Sequence, residues 1–86
     1  MGTKQTIMVV DDDQNIAQLV RLYLEKEGYD VVDFQRGDSA LAAFKANPPA
    51  LLLLDIMLPG MDGWQVCRAV RQISSIPVIM LSAKDE

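Results

Sequence analysis

The chain has 86 residues, 50% of them apolar and 23% charged, with a net charge of −4 and one cysteine. That composition suits one globular domain and not two, and offers no basic stripe to neutralise nucleic-acid phosphates. It also excludes an internal disulfide, contains no apolar run near the ~20 residues of a membrane span, and shows no secretory signal before the first strand.

Met1-Gly2-Thr3-Lys4-Gln5-Thr6 fits the loose template for acylation at Gly2. The pattern is short, and a start codon with a polar lead-in explains it better.

Thr6-Ile7-Met8-Val9-Val10 is a continuous apolar run, as expected for a strand buried on both faces. It stops at Asp11-Asp12-Asp13, after which Ile16, Leu19, Val20, Tyr23 and Leu24 follow the spacing of one helix face. Asp13 is placed to cap that helix, and Gly28 to end it. Tyr29 to Phe34 reads as a second strand, more polar and so expected at a sheet edge. Gly37-Asp38 opens a short helix carrying Leu41 and Phe44, which Pro48-Pro49 prevents from continuing. Ala50 to Leu54 forms the third run; its brevity and the preceding prolines favour a central strand over a helix. Leu58-Pro59-Gly60-Met61-Asp62-Gly63 is turn chemistry, and a third helix follows from Trp64 to Gln72, burying Val66 and Val70. Ile76 to Leu81 is the fourth strand, with Pro77 near its start where a missing N–H is tolerated. Apolar runs alternating with helices predict an α/β fold with a parallel sheet.

Ligands of such sheets bind beyond the carboxyl ends of the strands. Those ends carry Asp11 and Asp12 after strand one, Asp55 after strand three and Ser82 after strand four. Three carboxylates and a hydroxyl converge there, provided those strands are neighbours. Two carboxylates 4 Å apart repel by about 4 kcal/mol at an effective dielectric near 20, which a cation or a proton can offset. Oxygen donors without histidine or paired cysteine select Mg2+ or Mn2+ over zinc, and Mg2+ is commonly shared between carboxylates and a phosphate. The plainer assignments are a helix cap for Asp13 and a turn for Asp62 and Gly63. Gly60 to Gly63 matches the GxxG of an RNA-binding loop, but no basic residue lies inside it.

Three segments together resemble the receiver domains of two-component response regulators: Ile7 to Asp13, Leu53 to Gly63, and Pro77 to Ala83. The loop Leu58 to Gly63 and the stretch Val66-Cys67-Arg68 are most similar to receivers joined to winged-helix DNA-binding domains. The resemblance implies a flavodoxin-like three-layer sandwich with strand order 2-1-3-4, and assigns residues 1–86 to the N-terminal part of one receiver domain, with four strands and three helices and no effector domain. It implies that Asp55 accepts a phosphoryl group from a histidine of a sensor kinase. Asp12 would then hold Mg2+ directly, Asp11 chiefly through water, and Met57 through its backbone carbonyl. Ser82 would hydrogen-bond the phosphoryl group, and Ala83 would let its loop approach. A phosphoacceptor of this kind is not an enzyme in its own right; it is expected in the cytoplasm and relays its state to an output domain that binds DNA, while this segment binds no nucleic acid or membrane.

The sequence also departs from that family. The fifth strand, the last two helices and the family's active-site lysine have no counterpart here, and Lys84 sits too soon after Ser82 to replace the lysine. Weakened phosphorylation and self-association through an exposed fourth strand are the expected consequences. An inactive fragment or assembly building block is the alternative reading. An aspartyl-phosphate phosphatase fits less well, because Asp55-Ile56-Met57 lacks the second carboxylate of the Asp-x-Asp pattern. Nucleotide binding lacks both a P-loop and a GxGxxG.

Overall fold

The computed structural model describes residues 4–81. Ser82, Ala83, Lys84 and the acylation-type start at Gly2 lie outside the described residues. Seven elements alternate: β1 (Thr6–Val10), α1 (Gln14–Lys26), β2 (Asp30–Phe34), α2 (Gly37–Ala46), β3 (Leu51–Asp55), α3 (Gly63–Arg71) and β4 (Val78–Leu81). The four strands form one parallel sheet in the order β2-β1-β3-β4. After β1 the chain moves to one side for β2, then crosses to the other for β3. The carboxyl ends of β1 and β3 therefore flank the topological switch point, where open parallel sheets place their ligands.

The pleat sends alternate residues of β1 and β3 to opposite faces, and each face has its own cover. Met8, Val10, Leu52 and Leu54 pack with Ala40 and Phe44 of α2 and Val66 and Val70 of α3. Ile7, Val9 and Val31 pack on the other face, with Val20 and Leu24 of α1 and Leu51 and Leu53 beside them. Three layers result, as the resemblance implies. The edge position expected for β2 also holds.

The helix ends follow from their capping residues. Asp13 accepts N–H bonds from Asn15 and Ile16 at 3.0 and 3.3 Å, and Gly28 takes the positive φ of 98° that ends α1. Asp62 does more than turn the chain. It forms a reciprocal capping box with Gln65, each side chain accepting the other's backbone N–H at 2.9 Å. The pattern Asp-x-x-Gln before an apolar helix is the sequence signal for it.

One reading of the sequence is corrected. In α1, Ile16, Leu19 and Tyr23 are exposed rather than buried; Val20 and Leu24 pack against the sheet residues, and Ala17 is the helix's buried residue. Apolar side chains occupy more of this helix's circumference than the described sheet covers, so periodicity cannot choose between adjoining stripes. Smaller shifts affect β4, which starts at Val78. Pro77 precedes the strand and uses its carbonyl to accept the Leu52 N–H at 3.1 Å.

Candidate functional site

The site is built from the two residues after β1 and the last residue of β3. Asp11 is still tied to the sheet, its N–H donating to the Phe34 carbonyl at the end of β2 at 3.0 Å. Asp11 is 4% exposed, while Asp12 next to it faces solvent. Asp55 ends β3 half-buried, one residue beyond the pairing of Leu54 with Val10. One carboxylate oxygen from each of Asp11, Asp12 and Asp55 lies within 4.8 Å of the others. Asp13 is used otherwise: its carboxylate caps α1, and its N–H donates to Asp11 Oδ1 at 2.9 Å.

Ion pairs join Arg21 to Glu25 and Asp33, and Arg36 to Asp38. Among the described residues, none of the three clustered carboxylates has a basic partner. Burial pushes the Asp11 carboxyl above its ordinary range; the charges of Asp55, Asp12 and Asp13 push it the same way, and the Asp13 N–H opposes them. At 4.8 Å, the widest separation in the cluster, an ionised pair repels by about 3.5 kcal/mol at an effective dielectric near 20, less where Asp12 admits water. An oxygen-only donor set carrying this much uncompensated negative charge fits a hard divalent cation.

The loop from Ile56 to Asp62 completes the rim. Gly63 closes it, donating its N–H to the Ile56 carbonyl at 2.8 Å. The φ of Gly63 is not positive, so glycine is required there for space: a Cβ would collide with the Asp55 carbonyl oxygen and lie 2.7 Å from Ile56 Cα. Met57 stands in this loop, 66% exposed. The structure thus brings Asp11, Asp12 and Asp55 together and keeps Met57 on the adjoining loop, while Ser82 falls outside the described residues. Sequence patterning misses Gly37, which packs against the far end of this loop; its only signal is a glycine at a helix start, which is common.

The family model of the response regulator receiver domain matches residues 7–86. The chain belongs to that family. DNA-binding response regulator MtrA of Mycolicibacterium smegmatis is 45% identical over 83 residues, which is 96% of this receiver and 36% of MtrA. Transcriptional regulatory protein ResD of Bacillus subtilis is 46% identical over 80 residues, covering 93% of this receiver and 33% of ResD. The BeF3-activated N-terminal receiver domain of Klebsiella pneumoniae RstA superposes with a TM-score of 0.88 at 41% identity, over 94% of this receiver and 69% of that chain. The sequence therefore spans about a third of the length of the regulators it matches, and its flavodoxin-like sheet is that of the family. No described helix is long and apolar enough to cross a membrane.

Proposed function

We propose that this receiver takes a phosphoryl group onto Asp55 from a histidine of a sensor kinase, with Mg2+ or Mn2+ held beside it. The observation that carries the reading is the cluster of Asp11, Asp12 and Asp55 oxygens within 4.8 Å at the switch point, without a basic partner among the described residues. Asp12 and Asp55 would hold the cation, Asp11 chiefly through water, and the Met57 carbonyl would add a backbone oxygen. When bound, the cation offsets the charge that gathers on the phosphoryl oxygens during transfer. Asp55 supplies the nucleophilic oxygen: its bond to phosphorus forms as the bond to the donor's leaving group breaks. Ser82 is assigned a hydrogen bond to a phosphoryl oxygen. Positioning and electrostatics do most of the work in such transfers, so a non-enzymatic acceptor with a preformed acidic site suffices.

MtrA is a DNA-binding response regulator and ResD a transcriptional regulatory protein. By that likeness we assign residues 1–86 to the N-terminal part of a receiver domain working in the cytoplasm with a sensor kinase and an output domain that binds DNA, not to a segment that itself touches nucleic acid or membrane.

Incubation with a small phosphodonor and Mg2+, followed by intact mass, tests the core of the reading. One phosphoryl increment is expected with Mg2+, and little or none once the cation is chelated. Uptake that ignores Mg2+ would overturn the cation's part in the reading, and no uptake at all would overturn it for this chain and favour the inactive building block.

Self-association through β4 goes with the same proposal. β4 is an edge of the described sheet, and Ile79 on it is 50% exposed. Sedimentation is expected to show dimers or larger species as concentration rises, and a monomer at all concentrations would refute the pairing.

A further inference from the structure

The connecting segment from the last residue of β2 to the first turn of α2, Phe34 to Asp38, touches both halves of the acidic site, although it contributes no carboxylate to it. On one side, Phe34 accepts the Asp11 N–H at 3.0 Å. Three residues later, Gly37 donates its N–H to the Pro59 carbonyl at 3.4 Å, in the loop that follows Asp55. Gly37 has no positive φ, so its backbone would accept another residue; the neighbours would not. A Cβ there would run into the Met61 carbonyl oxygen, and would lie 2.8 Å from Val66 Cγ2 and 2.9 Å from the Met61 carbonyl carbon. The helix start is thus pressed directly against the loop backbone.

A second grip lies beside it. Arg36 and Asp38 form a two-pronged pair, with Nε to Oδ1 at 3.0 Å and Nη2 to Oδ2 at 2.9 Å. Their tips sit over Gly60, which needs glycine for its positive φ of 82°, and a Cβ there would be 2.9 Å from Arg36 Nη2. The inner end of the loop is fixed separately by the Gly63 contact with Ile56 and by the Asp62–Gln65 capping box. Met57 lies between these two anchorages.

We propose that the segment Phe34 to Asp38 is a positioning brace for the cation site, holding the loop with Met57 in register with Asp11 through Gly37 and the Arg36–Asp38 pair. The inference rests on the cation reading above. It makes Gly37 a positioning residue whose effect reaches the site only through the backbone of the loop, the kind of outer support that tunes metal affinity.

The test measures Mn2+ binding to the full 86-residue chain by electron paramagnetic resonance, with Mg2+ as competitor and no phosphodonor present. Gly37→Ala is expected to bind Mn2+ about 10-fold more weakly, the lower end of what loss of an outer support costs. Arg36→Gln combined with Asp38→Asn should give a smaller loss in the same direction. That pair is about half exposed, so the double variant keeps its fold and decides the matter alone if Gly37→Ala does not fold. Phe44→Leu, which loosens the core of α2 away from the connector, should keep native affinity. Native affinity in the connector variants overturns the brace while leaving the cation reading intact. So does an equal loss in Phe44→Leu, which marks a general stability effect. A wild-type chain that fails to bind Mn2+ overturns the cation reading and the brace together.

Discussion

Asp55→Asn is expected to take up no phosphoryl group under conditions in which the wild-type chain takes one, as read by intact mass. The substitution preserves the shape of the side chain at the end of β3, where the residue is half-buried and opposite Leu81 of β4. It removes the anionic oxygen that must attack phosphorus, and an amide oxygen is too weak a nucleophile to replace it. The variant also withdraws one charge from the cluster, so lost uptake could reflect a lost cation instead. Asp12→Asn separates the two causes. Asp12 is exposed and its loss should weaken cation binding, so uptake in Asp12→Asn should recover as Mg2+ is raised. Uptake in Asp55→Asn should not recover at any Mg2+ concentration. Equal uptake by Asp55→Asn and wild type would remove Asp55 as the acceptor.

Asp11→Asn is expected to raise stability at neutral pH in the absence of divalent cations, by on the order of 1 kcal/mol or more, since it removes one charge from a cluster of close carboxylates. The local structure should survive, because the Asn Oδ1 can still accept the Asp13 N–H that Asp11 accepts at 2.9 Å. The pH dependence follows from the raised carboxyl of Asp11. In the folded state the group holds a proton that the unfolded chain, with its ordinary value of 3.8, has already released. The stability this proton carries is fully present below that ordinary value and is lost as pH rises through the higher folded-state value. Wild-type stability without divalent cations should therefore decline on leaving the acid range, and Asp11→Asn should flatten that decline. Added Mg2+ should stabilise wild type above the folded-state value and stabilise Asp11→Asn less, by the linkage of any ligand that binds only the folded state. Denaturant unfolding across pH, with and without Mg2+, measures all of this. A variant that is no more stable than wild type without cations would mean that the cluster carries no such repulsion.

Both predictions concern residues that the sequence marks by itself. Asp11, Asp12 and Asp55 stand out because each follows an apolar run short enough to be a strand, and the end of such a run is a local property. The same holds for the Asp13 cap and for Gly28, whose contacts lie within a turn of their own residue. The capping box of Asp62 and Gln65 is equally local and legible, though the turn residues around it obscure the part of Gln65.

Other features depend on distant partners. Asp11 and Asp12 are identical in sequence terms, yet one is buried and the other exposed. Asp11 differs in its N–H bond to Phe34, a residue of a different strand, and in its Oδ1, which accepts the Asp13 N–H. Periodicity misjudges the covered stripe of α1 because its apolar positions wrap beyond one face, and the position of β1 and β2 beneath it decides which of them are buried. Gly37 has the look of an ordinary helix start, and only Met61 and Val66 against its backbone set it apart.

By itself the sequence determined the order of strands and helices, several of their ends and the identity of the acidic residues. The 2.0 and 3.6 periodicities and the capping chemistry that specify these act over a few neighbouring residues. Tertiary structure decided that β1 and β3 lie side by side, which brings the carboxylates within 4.8 Å and leaves Asp11 buried among like charges. It also decided that a glycine at the start of α2 meets the loop after Asp55. These are encounters between segments far apart in the chain, set by which faces the packed sheet leaves in contact, and no local pattern of residues records them.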